Sequence, residues 1–391
     1  MKYKNAKDIF PEELLLKVQE YIQGEYIYIP VHEKQIVKSA TSYKTELEKR
    51  DAHIYAKYLE GMSNAKLAHL YNLSESSIRR IIVKQRKGYN KMKDELTQVL
   101  DNWDVQEKEV KQIYNTTWQV GESYVLKEYR NFKMLDRNLK ILHVLDEMQI
   151  PVAPVVPTRD KKLYAVFEDR YYFLSGKLSG NNIVNIENNA EIAVTMGKII
   201  ADLHLAFKQC ENVGSYWKNS LLEEMRGWVK TNLENTGWKY ICQEEYEDVV
   251  SRLAEIYDKL PTQLIHRDVH FGNFLFEEGN FSGYIDFDLT QRNIRIFDIC
   301  YFLLGLLAEE VKMEINREQW FEIVKKVFSG YESKLPLSED EKYAVPYVME
   351  CIELLFVSYF ESINDIHCAE DASKLFWFVK KQENRIWKSI R

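Results

Sequence analysis

Two aspartates and an asparagine stand at short intervals in the stretch LIHRDVHFGNFLFEEGNFSGYIDFD, which runs from Leu264 to Asp288. Asp268 precedes Asn273 by five residues, and Asp286 ends an apolar run typical of a strand. A carboxylate in such a loop can orient and deprotonate an attacking hydroxyl. An amide oxygen and a second carboxylate suit Mg²⁺, which prefers one or two carboxylates together with phosphate oxygens and water. The pattern therefore indicates phosphoryl transfer, with Asp268 as the base and with Asn273 and Asp286 as metal ligands.

The order His-x-Asp-x-His-x-x-Asn followed by Ile-Asp-Phe resembles the aminoglycoside phosphotransferase and choline kinase family, the small-molecule relatives of protein kinases. The resemblance implies ATP as the phosphate donor and a small-molecule hydroxyl as the acceptor. It also implies that His266 and Asp298 brace the catalytic loop, and that His270 stands where protein kinases usually carry Lys. Arg267 and Phe271 replace the Gly and Pro of many of these enzymes. Neither change removes a chemical group from the mechanism.

Each of these residues also has an ordinary structural explanation. A lone Asp before Phe usually marks a strand end or a turn, and a lone His beside an apolar run is usually structural. The order and spacing of Asp268, Asn273 and Asp286 together favour the catalytic interpretation. Asp288 is a weaker candidate, because a continuing strand would turn its side chain to the face opposite that of Asp286.

The composition is that of an ordinary soluble chain. Its 391 residues are 46% hydrophobic and 29% charged, enough for two or three domains with real cores. The longest uninterrupted apolar stretch, around Ile299 to Ala308, is about half of what a bilayer needs. The N-terminus lacks the apolar core of a signal peptide, and the five cysteines form no C-x-x-C pair. We therefore expect a cytoplasmic protein without a membrane segment.

Charge is shared unevenly along the chain. Residues 1–90 hold 16 Lys and Arg against 11 Asp and Glu, a net charge of +5. The whole chain carries −7, so residues 91–391 carry −12. A nucleic-acid module joined to an acidic enzyme would show this asymmetry, although surface charge also drifts without function.

Residues 52–89 carry the signals of a helix-turn-helix unit. Ser63 and Ser74 are predicted N-caps, and Asn72 takes the turn position, where Asn tolerates the left-handed conformation better than most residues. The three predicted helices are Ala52–Glu60, Asn64–Tyr71 and Glu75–Lys84. The positions expected to pack the unit are Leu67, Ala68, Leu73, Ile78 and Ile81.

The third of these helices presents polar and basic residues that fit duplex DNA. Polar side chains near its N-terminus would meet base edges, and its cations would meet phosphates. The candidate contacts are Ser76, Ser77, Arg79, Arg80 and Lys84. Duplex DNA is therefore the expected partner of residues 1–90, and a basic protein–protein module is the alternative.

An upstream segment supports the regulatory interpretation. Asp8-x-x-Pro-Glu-Glu-Leu-Leu followed by Tyr-Ile-Tyr-Ile-Pro resembles the opening of short bacterial Mor-like helix-turn-helix proteins. The resemblance spans roughly residues 1–88 and implies a helix at the first of these motifs. It does not decide what the domain binds.

After residue 105 the pattern turns to strands. The runs EVKQIYNTTWQV and SYVLKEY, joined by a turn at Gly121-Glu122, predict a hairpin. Lys127 lies where the family carries the Lys that contacts the α- and β-phosphates, although a lone strand Lys is usually a solvated edge residue. No Gly-rich loop precedes it, so Asn115, Thr116 and Thr117 are the expected cover for the phosphates.

The residue that would pair with Lys127 and the residues that would contact adenine follow the family pattern less closely. The helix FKMLDRNLKILHVLDEM offers Asp136 where the family carries Glu, one methylene longer, with Asn138 nearby. The strand RYYFLSGKL is predicted to end in a hinge turn at Gly180. The main-chain groups from Phe173 to Ser175 are expected to face adenine.

These features predict an α+β protein with a two-lobed, protein-kinase-like fold, preceded by a small all-α helix-turn-helix domain. The predicted boundaries are residues 1–90 for the helix-turn-helix domain, 91–104 for a helical connector, 105–178 for a β-rich N-lobe and 179–391 for a helical C-lobe. The expected reaction is ATP- and Mg²⁺-dependent phosphorylation of a hydroxyl on an aminoglycoside- or choline-like acceptor. Homodimer formation is possible and is left undecided by the sequence.

Two other functions stay open at this point. A ligand-sensing regulator with a degenerate kinase fold is favoured by the missing Gly-rich loop and opposed by the intact set of Asp268, Asn273 and Asp286. A true protein kinase is suggested by His266-Arg267-Asp268, but no Ala-Pro-Glu segment follows Asp286. The acidic stretch from Glu361 to Asp371 either faces a cationic acceptor or is an acidic helix surface.

Overall fold

A computed structural model describes residue 47 and residues 50–183, 190–308 and 316–391. The chain divides into two compact units, Met1–Glu95 and Leu96–Arg391. The Mor-like opening, with its predicted helix at Asp8–Leu15, lies outside the described residues.

The first unit contains the predicted helix-turn-helix. Its helices are α1 (residues 50–59), α2 (Asn64–Tyr71) and α3 (Glu75–Leu100). Ser63 Oγ accepts the Lys66 amide at the start of α2, and Ser74 Oγ accepts the Ser77 amide at the start of α3. Asn72 has φ 50° and ψ 46°, the left-handed turn expected of it. Among the described residues of this unit, the buried core contains Ile54, Tyr55, Leu67, Ile78 and Ile82.

Helix α3 ends at Leu100, whereas the sequence pattern predicted an end near Lys84. No Pro interrupts this segment, and its single Gly88 disfavours a helix by only about 1 kcal/mol relative to Ala. An ion pair one turn apart, Lys91 Nζ to Glu95 Oε1 at 3.6 Å, supports the added turns. The first ten residues of the predicted connector are therefore helical.

The N-lobe is a six-stranded antiparallel sheet with one helix. Its elements are β1 (Val110–Tyr114), β2 (Thr117–Val120), β3 (Tyr124–Tyr129), α4 (Phe132–Glu147), β4 (Val155–Val156), β5 (Ala165–Phe167) and β6 (Arg170–Gly176). The order is β1-β2-β3-β6-β4, and β5 also pairs with β6. The run predicted as one strand is divided by a two-residue turn at Asn115-Thr116, because Tyr114 pairs with Thr117.

The prediction that Phe173 to Ser175 face adenine is wrong. These residues lie inside β6, where each pairs with β3, and Leu174 and Ser175 also lie opposite β4. Their main-chain groups therefore belong to the sheet. The chain leaves β6 at Gly176 and reaches the C-lobe at Asn181, whose amide donates to Phe276 O at 2.9 Å. The hinge is this later segment, and it includes Gly180, whose φ is 96°.

The C-lobe is mainly helical. Its first helices are α5 (Ala190–Cys210), α6 (Leu221–Glu224), α7 (Lys230–Asn235) and α8 (Gln243–Tyr257), with a π-helical turn at Met225–Val229. Two short antiparallel sheets follow, one from β7 (Thr262–Ile265) with β10 (Gln291–Ile294) and one from β8 (Phe274–Glu277) with β9 (Asn280–Tyr284). The last helices are α9 (Ile296–Ala308), α10 (Arg317–Glu332), α11 (Glu339–Ser362) and α12 (Ile366–Ile390).

Helix α11 lies at the centre of this lobe. Among the described residues it is the one helix long and apolar enough to cross a membrane, and 78% of its most apolar window is buried inside the protein. Apolar side chains on most of its faces pack against neighbouring helices, as in the core helix of a globular domain.

Candidate active site

The loop after β7 is fixed by one buried carboxylate. Asp298, at the start of α9, has no exposed surface. Its oxygens accept the backbone amides of His266 at 2.8 Å and Arg267 at 2.9 Å. His204 on α5 lies 3.0 Å from the same carboxylate and 2.8 Å from the Tyr331 hydroxyl on α10. Asp298 therefore ties the loop to the helical core, in agreement with the bracing contact expected of it.

His266 connects this loop to the segment after β9 that carries Asp286. Its Nδ1 accepts the Asp268 amide at 3.3 Å, so the ring proton sits on Nε2, which lies 3.3 Å from Ile285 O. Burial lowers the pKa of His266, against the raising effect of Asp298. The ring is thus a neutral structural group, and Arg267 beside it adopts a φ of 73° that turns the chain.

Asp268 projects from the loop as an ionised carboxylate. Its Oδ1 accepts the Tyr301 hydroxyl at 2.9 Å, its Oδ2 accepts Asn273 Nδ2 at 3.0 Å, and His270 Nε2 lies 3.6 Å from Oδ2. Burial raises the pKa of Asp268, but His270 and Tyr301 outweigh burial and hold it at about 2. Sequence reasoning missed Tyr301. Its position one helical turn after Asp298, on the same helix, was the available signal.

Asn273 and Asp286 present oxygens side by side. Asn273 uses Nδ2 to donate to the side chain and the main chain of Asp268, which leaves Oδ1 as its acceptor atom. The Ile285 amide donates to Asn273 O at 3.0 Å, and this contact sets Asp286 next to the asparagine. No cluster of three His, Cys, Asp or Glu able to hold a metal occurs among the described residues. The two residues therefore fit Mg²⁺ only if phosphate oxygens and water complete its ligands, which is how nucleotide enzymes hold it.

Lys127 on β3 reaches this group from the N-lobe. Its Nζ lies 2.9 Å from Asp286 Oδ1 and 2.8 Å from Asp288 Oδ2. Burial lowers the pKa of Lys127, but the two carboxylates outweigh burial and raise it above its ordinary value. The ammonium thus stays charged at the junction of the lobes.

Neither Asp136 nor Asp288 lies where the family pattern or a continuing strand would place it. Asp136 is not its partner, because the Asp136 carboxylate lies 2.7 Å from Lys140 on the surface of α4. Asp288 does not face away, because the strand ends at Tyr284 and Asp286 adopts a φ of 61°, which turns both carboxylates toward Lys127. Asn138 and Tyr129 hydrogen-bond the second oxygen of Asp288.

The turn at Asn115-Thr116 lies at the end of the sheet that carries Lys127. Thr117 pairs directly with Lys127 across β2 and β3, and the Glu128 amide donates to Thr116 O at 2.8 Å. Asn115 and Thr116 are exposed. Exposed polar residues therefore stand at the turn beside the strand pair that includes Lys127, where a Gly-rich loop was not found in the sequence.

A cavity of about 420 Å³ opens on the other side of Asp268. Its walls come from the catalytic loop, α9, α11 and α12. They include Tyr301, Phe302, Glu353, Phe356, Phe360 and Asp371. Within the acidic stretch, Asp371 lines the cavity, whereas the Glu361 carboxylate accepts the Thr236 hydroxyl at 2.7 Å. Sequence reasoning missed Glu353, because a single acidic residue in an apolar helix gives no local indication of where its side chain points.

In the helix-turn-helix unit, the polar residues predicted to contact DNA fall into two groups. Ser76 and Ser77 hydrogen-bond Ser74 at the start of α3, through side-chain oxygens 2.8 and 2.9 Å apart. Arg79 pairs with Glu75 at 3.1 Å one turn away. Arg80 and Lys84 are exposed on the same helix.

Comparison with known proteins agrees with this architecture. Residues 109–331 match the model of the phosphotransferase enzyme family, and residues 3–96 match the Mor transcription activator family. The solved amicoumacin kinase hAmiN, in complex with AMP-PNP, Ca²⁺ and Ami, shares the fold with a TM-score of 0.57 at 20% identity. That match covers 77% of this chain and 96% of that chain.

Two relatives match one part of the chain each. The homoserine kinase of Phenylobacterium zucineum (strain HLK1) is 32% identical over 114 residues, 28% of this chain, and the match spans about a third (34%) of that protein. The uncharacterized protein YraL of Bacillus subtilis (strain 168) is 32% identical over 84 residues, which are 21% of this chain and 97% of YraL. Since the phosphotransferase match alone covers more than half of the chain, this protein belongs to the phosphotransferase enzyme family and carries a Mor domain at its N-terminus.

Proposed function

We propose that the kinase-like unit transfers the γ-phosphate of ATP to a hydroxyl group of a small molecule. The strongest support is the setting of Asp268, an ionised carboxylate that Tyr301 and Asn273 hold at the wall of a cavity. A carboxylate held in this way orients the attacking hydroxyl and takes its proton as the new oxygen–phosphorus bond forms. The bond between the γ-phosphorus and the bridging oxygen breaks, and ADP leaves.

The remaining polar residues fit the nucleotide side of this reaction. Asn273 and Asp286 would hold Mg²⁺, which neutralises charge on the phosphate oxygens. Lys127 would contact phosphate oxygens, and the turn from Asn115 to Thr117 would cover them. Asp288 would keep Lys127 in place, a task that the family resemblance had assigned to a residue of α4.

ADP release by the full-length protein tests this proposal. The assay uses ATP and MgCl₂ with separate panels of aminoglycosides, choline, simple amino alcohols and L-homoserine, the last because one relative is a homoserine kinase. We expect ADP release above background with at least one acceptor. If calorimetry shows that ATP·Mg²⁺ binds but every acceptor leaves ADP release at background, phosphotransfer is the wrong assignment.

A ligand-sensing role is the second candidate, and one observation favours it. Lys127 is held by both Asp286 and Asp288, so a nucleotide must compete with two carboxylates for its ammonium. Under this alternative, nucleotide or acceptor binds without turnover. Binding without ADP release, together with a ligand-dependent change in DNA affinity, would favour the sensor over the enzyme.

We propose in addition that the Mor domain binds duplex DNA through α3. Arg80 and Lys84 are exposed cations on the second helix of the turn unit, and residues 1–90 carry a net charge of +5. Cations in this position neutralise phosphates and make binding sensitive to salt. Salt-dependent retardation of duplex DNA by the full-length protein is the test, and no binding at low ionic strength would reject the proposal.

A further inference from the structure

One carboxylate in the cavity has no part in the phosphotransfer described above. Glu353 lies on α11, is 2% exposed and lines the same cavity as Asp268. Within residues 50–183, 190–308 and 316–391, no side chain or main-chain group forms a hydrogen bond or an ion pair with it. A buried carboxyl group without a partner is costly to fold, so its presence in a cavity wall points to a ligand that supplies the partner.

The surroundings of Glu353 favour a cation. Phe356 and Phe360 stack with ring centroids 5.9 Å apart, and Tyr301 lies 5.9 Å from Phe356. The faces of such rings attract cations. The carboxylate of Asp268 adds negative charge, whereas that of Asp371 is already paired with Lys374 at 2.8 Å. No Lys or Arg occurs among the described residues that line the cavity.

The same walls disfavour an acceptor that carries a carboxylate. Among the described residues that line the cavity, His270 is the one whose side chain can become positive, and its Nε2 already lies 3.6 Å from Asp268. An acceptor carboxylate would therefore lie beside the acidic side chains of Asp268 and Glu353, and no Lys or Arg among the described lining residues could pair with it, an unfavourable arrangement. Most of the remaining lining is aromatic or aliphatic, which suits an apolar ligand body.

We infer that the acceptor is an amino alcohol, with its hydroxyl at Asp268, its ammonium at Glu353 and a mainly apolar body between them. The inference rests on the proposed phosphotransfer, and Glu353 acts in it as a specificity-determining residue. Acceptors without the amine, and amino acids such as homoserine whose carboxylate would stay unpaired, are discriminated against.

The ionisation of Glu353 offers a second measurable property. Burial raises the pKa of Glu353 well above its ordinary value, which favours the protonated carboxyl group in the empty cavity. The other titratable groups among the described lining residues are Asp268, His270, Tyr301, Cys368 and Asp371. A bound ammonium favours the ionised form, so binding of a protonated amine releases a proton from Glu353 to solvent.

A homologous series of acceptors tests the inference. The probes are linear amino alcohols from ethanolamine to 8-amino-1-octanol, the matching 1-alkanols, and L-homoserine. The readout is kcat/KM from ADP release, for the wild type and for Glu353→Gln, which keeps the volume of the side chain. The control is Glu350→Gln, because Glu350 is buried on the same helix but does not line the cavity.

We expect the wild type to prefer one chain length of amino alcohol over its alkanol by at least about 30-fold, the effect of an unpaired buried charge. Glu353→Gln should lose most of this preference, with the KM for ATP unchanged, and Glu350→Gln should keep it. A preference that survives in Glu353→Gln, equal turnover of alkanols, or faster turnover of L-homoserine than of amino alcohols would overturn the inference and leave phosphotransfer standing.

Calorimetry separates failure of this inference from failure of the enzyme assignment. Titration of the preferred amino alcohol into wild-type protein, in two buffers of different ionisation enthalpy, should reveal proton release that Glu353→Gln lacks. This result without any acceptor-dependent ADP release would support the cation site and reject phosphotransfer. Absence of both binding and turnover for the whole series would overturn the inference outright.

Discussion

Lys127 is held by two carboxylates that lie 159 and 161 residues further along the chain, Asp286 and Asp288. An ammonium that is only 15% exposed needs such partners, because burial otherwise favours its neutral form. The two carboxylates outnumber the single ammonium, so this group of three side chains carries a net charge of −1 before ligands arrive. A phosphate-bound cation at Asp286 would release Lys127 for the phosphates.

Asp286→Ala should therefore abolish Mg²⁺-dependent nucleotide binding, since it removes the carboxylate expected to hold the cation. Asp136→Ala is the matched control, because its carboxylate pairs with Lys140 on the surface of α4. We expect the control to bind ATP as the wild type does, by calorimetry with and without MgCl₂. Equal affinity and equal metal dependence in Asp286→Ala would show that the metal assignment is wrong.

Asp268→Ala should keep the fold and nucleotide binding but lose turnover. In the proposed reaction its carboxylate acts on the acceptor hydroxyl, and the loss of a positioned base lowers kcat by about 10²–10⁴-fold. Because the pKa of Asp268 is about 2, no fall in the wild-type rate from its protonation is expected at pH 5 or above. Turnover near the wild-type rate in the variant would remove Asp268 from the mechanism.

At the scale of elements, the cleft depends on close packing of the C-lobe helices. Helices α5 and α10 cross at two glycines, where a Cβ on Gly197 would lie 2.0 Å from Val327 O and one on Gly330 would lie 2.1 Å from Val194 O. Only a residue without a side chain fits between these backbones. The crossing brings Tyr331 to His204, and through His204 to Asp298, which holds the catalytic loop.

Gly197→Ala should destabilise the kinase-like unit by about 3 kcal/mol, because the added methyl group meets backbone atoms that must move. Gly305→Ala on α9 is the control, since a Cβ there meets no atom within 4 Å and Ala favours the helix by about 1 kcal/mol. Urea unfolding followed by circular dichroism measures both. Similar stability of the two variants would contradict the crossing geometry.

A buried carboxyl group between α8, α11 and α12 should make stability depend on pH. Burial, followed by the neighbouring Glu383 carboxylate, raises the pKa of Glu350 to about 8, against the opposing effects of Lys380 and of Arg252 at 3.7 Å. A raised folded-state pKa stabilises the protein fully below the ordinary value of 4.5, and this contribution is lost as the pH rises to about 8. The free energy of unfolding of the wild type should therefore fall relative to that of Glu350→Gln across this range, as measured by urea unfolding. Parallel pH profiles would show that Glu350 is ionised in the folded protein.

At the scale of the whole molecule, two units of opposite net charge share one chain. The Mor domain is basic and the remainder is acidic. An acidic partner such as DNA is attracted by the first and repelled by the second, so binding should concentrate on the Mor domain. Each unit matches the model of a different protein family.

The double variant Arg80→Ala with Lys84→Ala should weaken DNA binding and flatten its salt dependence. Each lost phosphate contact lowers the slope of log affinity against log salt by about 0.9 for duplex DNA. Lys325→Ala with Lys381→Ala, which removes the same charge from the kinase-like unit, is the control. Fluorescence anisotropy at several salt concentrations measures the slope, and an equal change in both double variants would indicate a general charge effect.

Much of the fold and of the candidate site was predictable from the sequence alone, because it depends on contacts between residues that are close in the sequence. The spacing of Asp268, Asn273 and Asp286 follows from one loop and one short hairpin, so their proximity was predictable. The caps at Ser63 and Ser74 and the turn at Asn72 depend on neighbours within four residues, and the structure confirms each. Helix ends and strand division were less certain, because α3 continues past its predicted end and β1 stops at a turn with no Gly.

Tertiary structure alone decided which distant side chains meet. Asp288 reaches Lys127 because the backbone turns at Asp286 with a φ of 61°, a conformation that the strand pattern did not predict. Tyr301 and Glu353 reach the cavity of Asp268 from α9 and α11, 33 and 85 residues beyond it. Hydrophobic periodicity identifies the buried face of a helix, but the direction of that face in the folded protein depends on how helices cross. This is why the catalytic set was visible in the sequence, whereas its partners and the acceptor site were not.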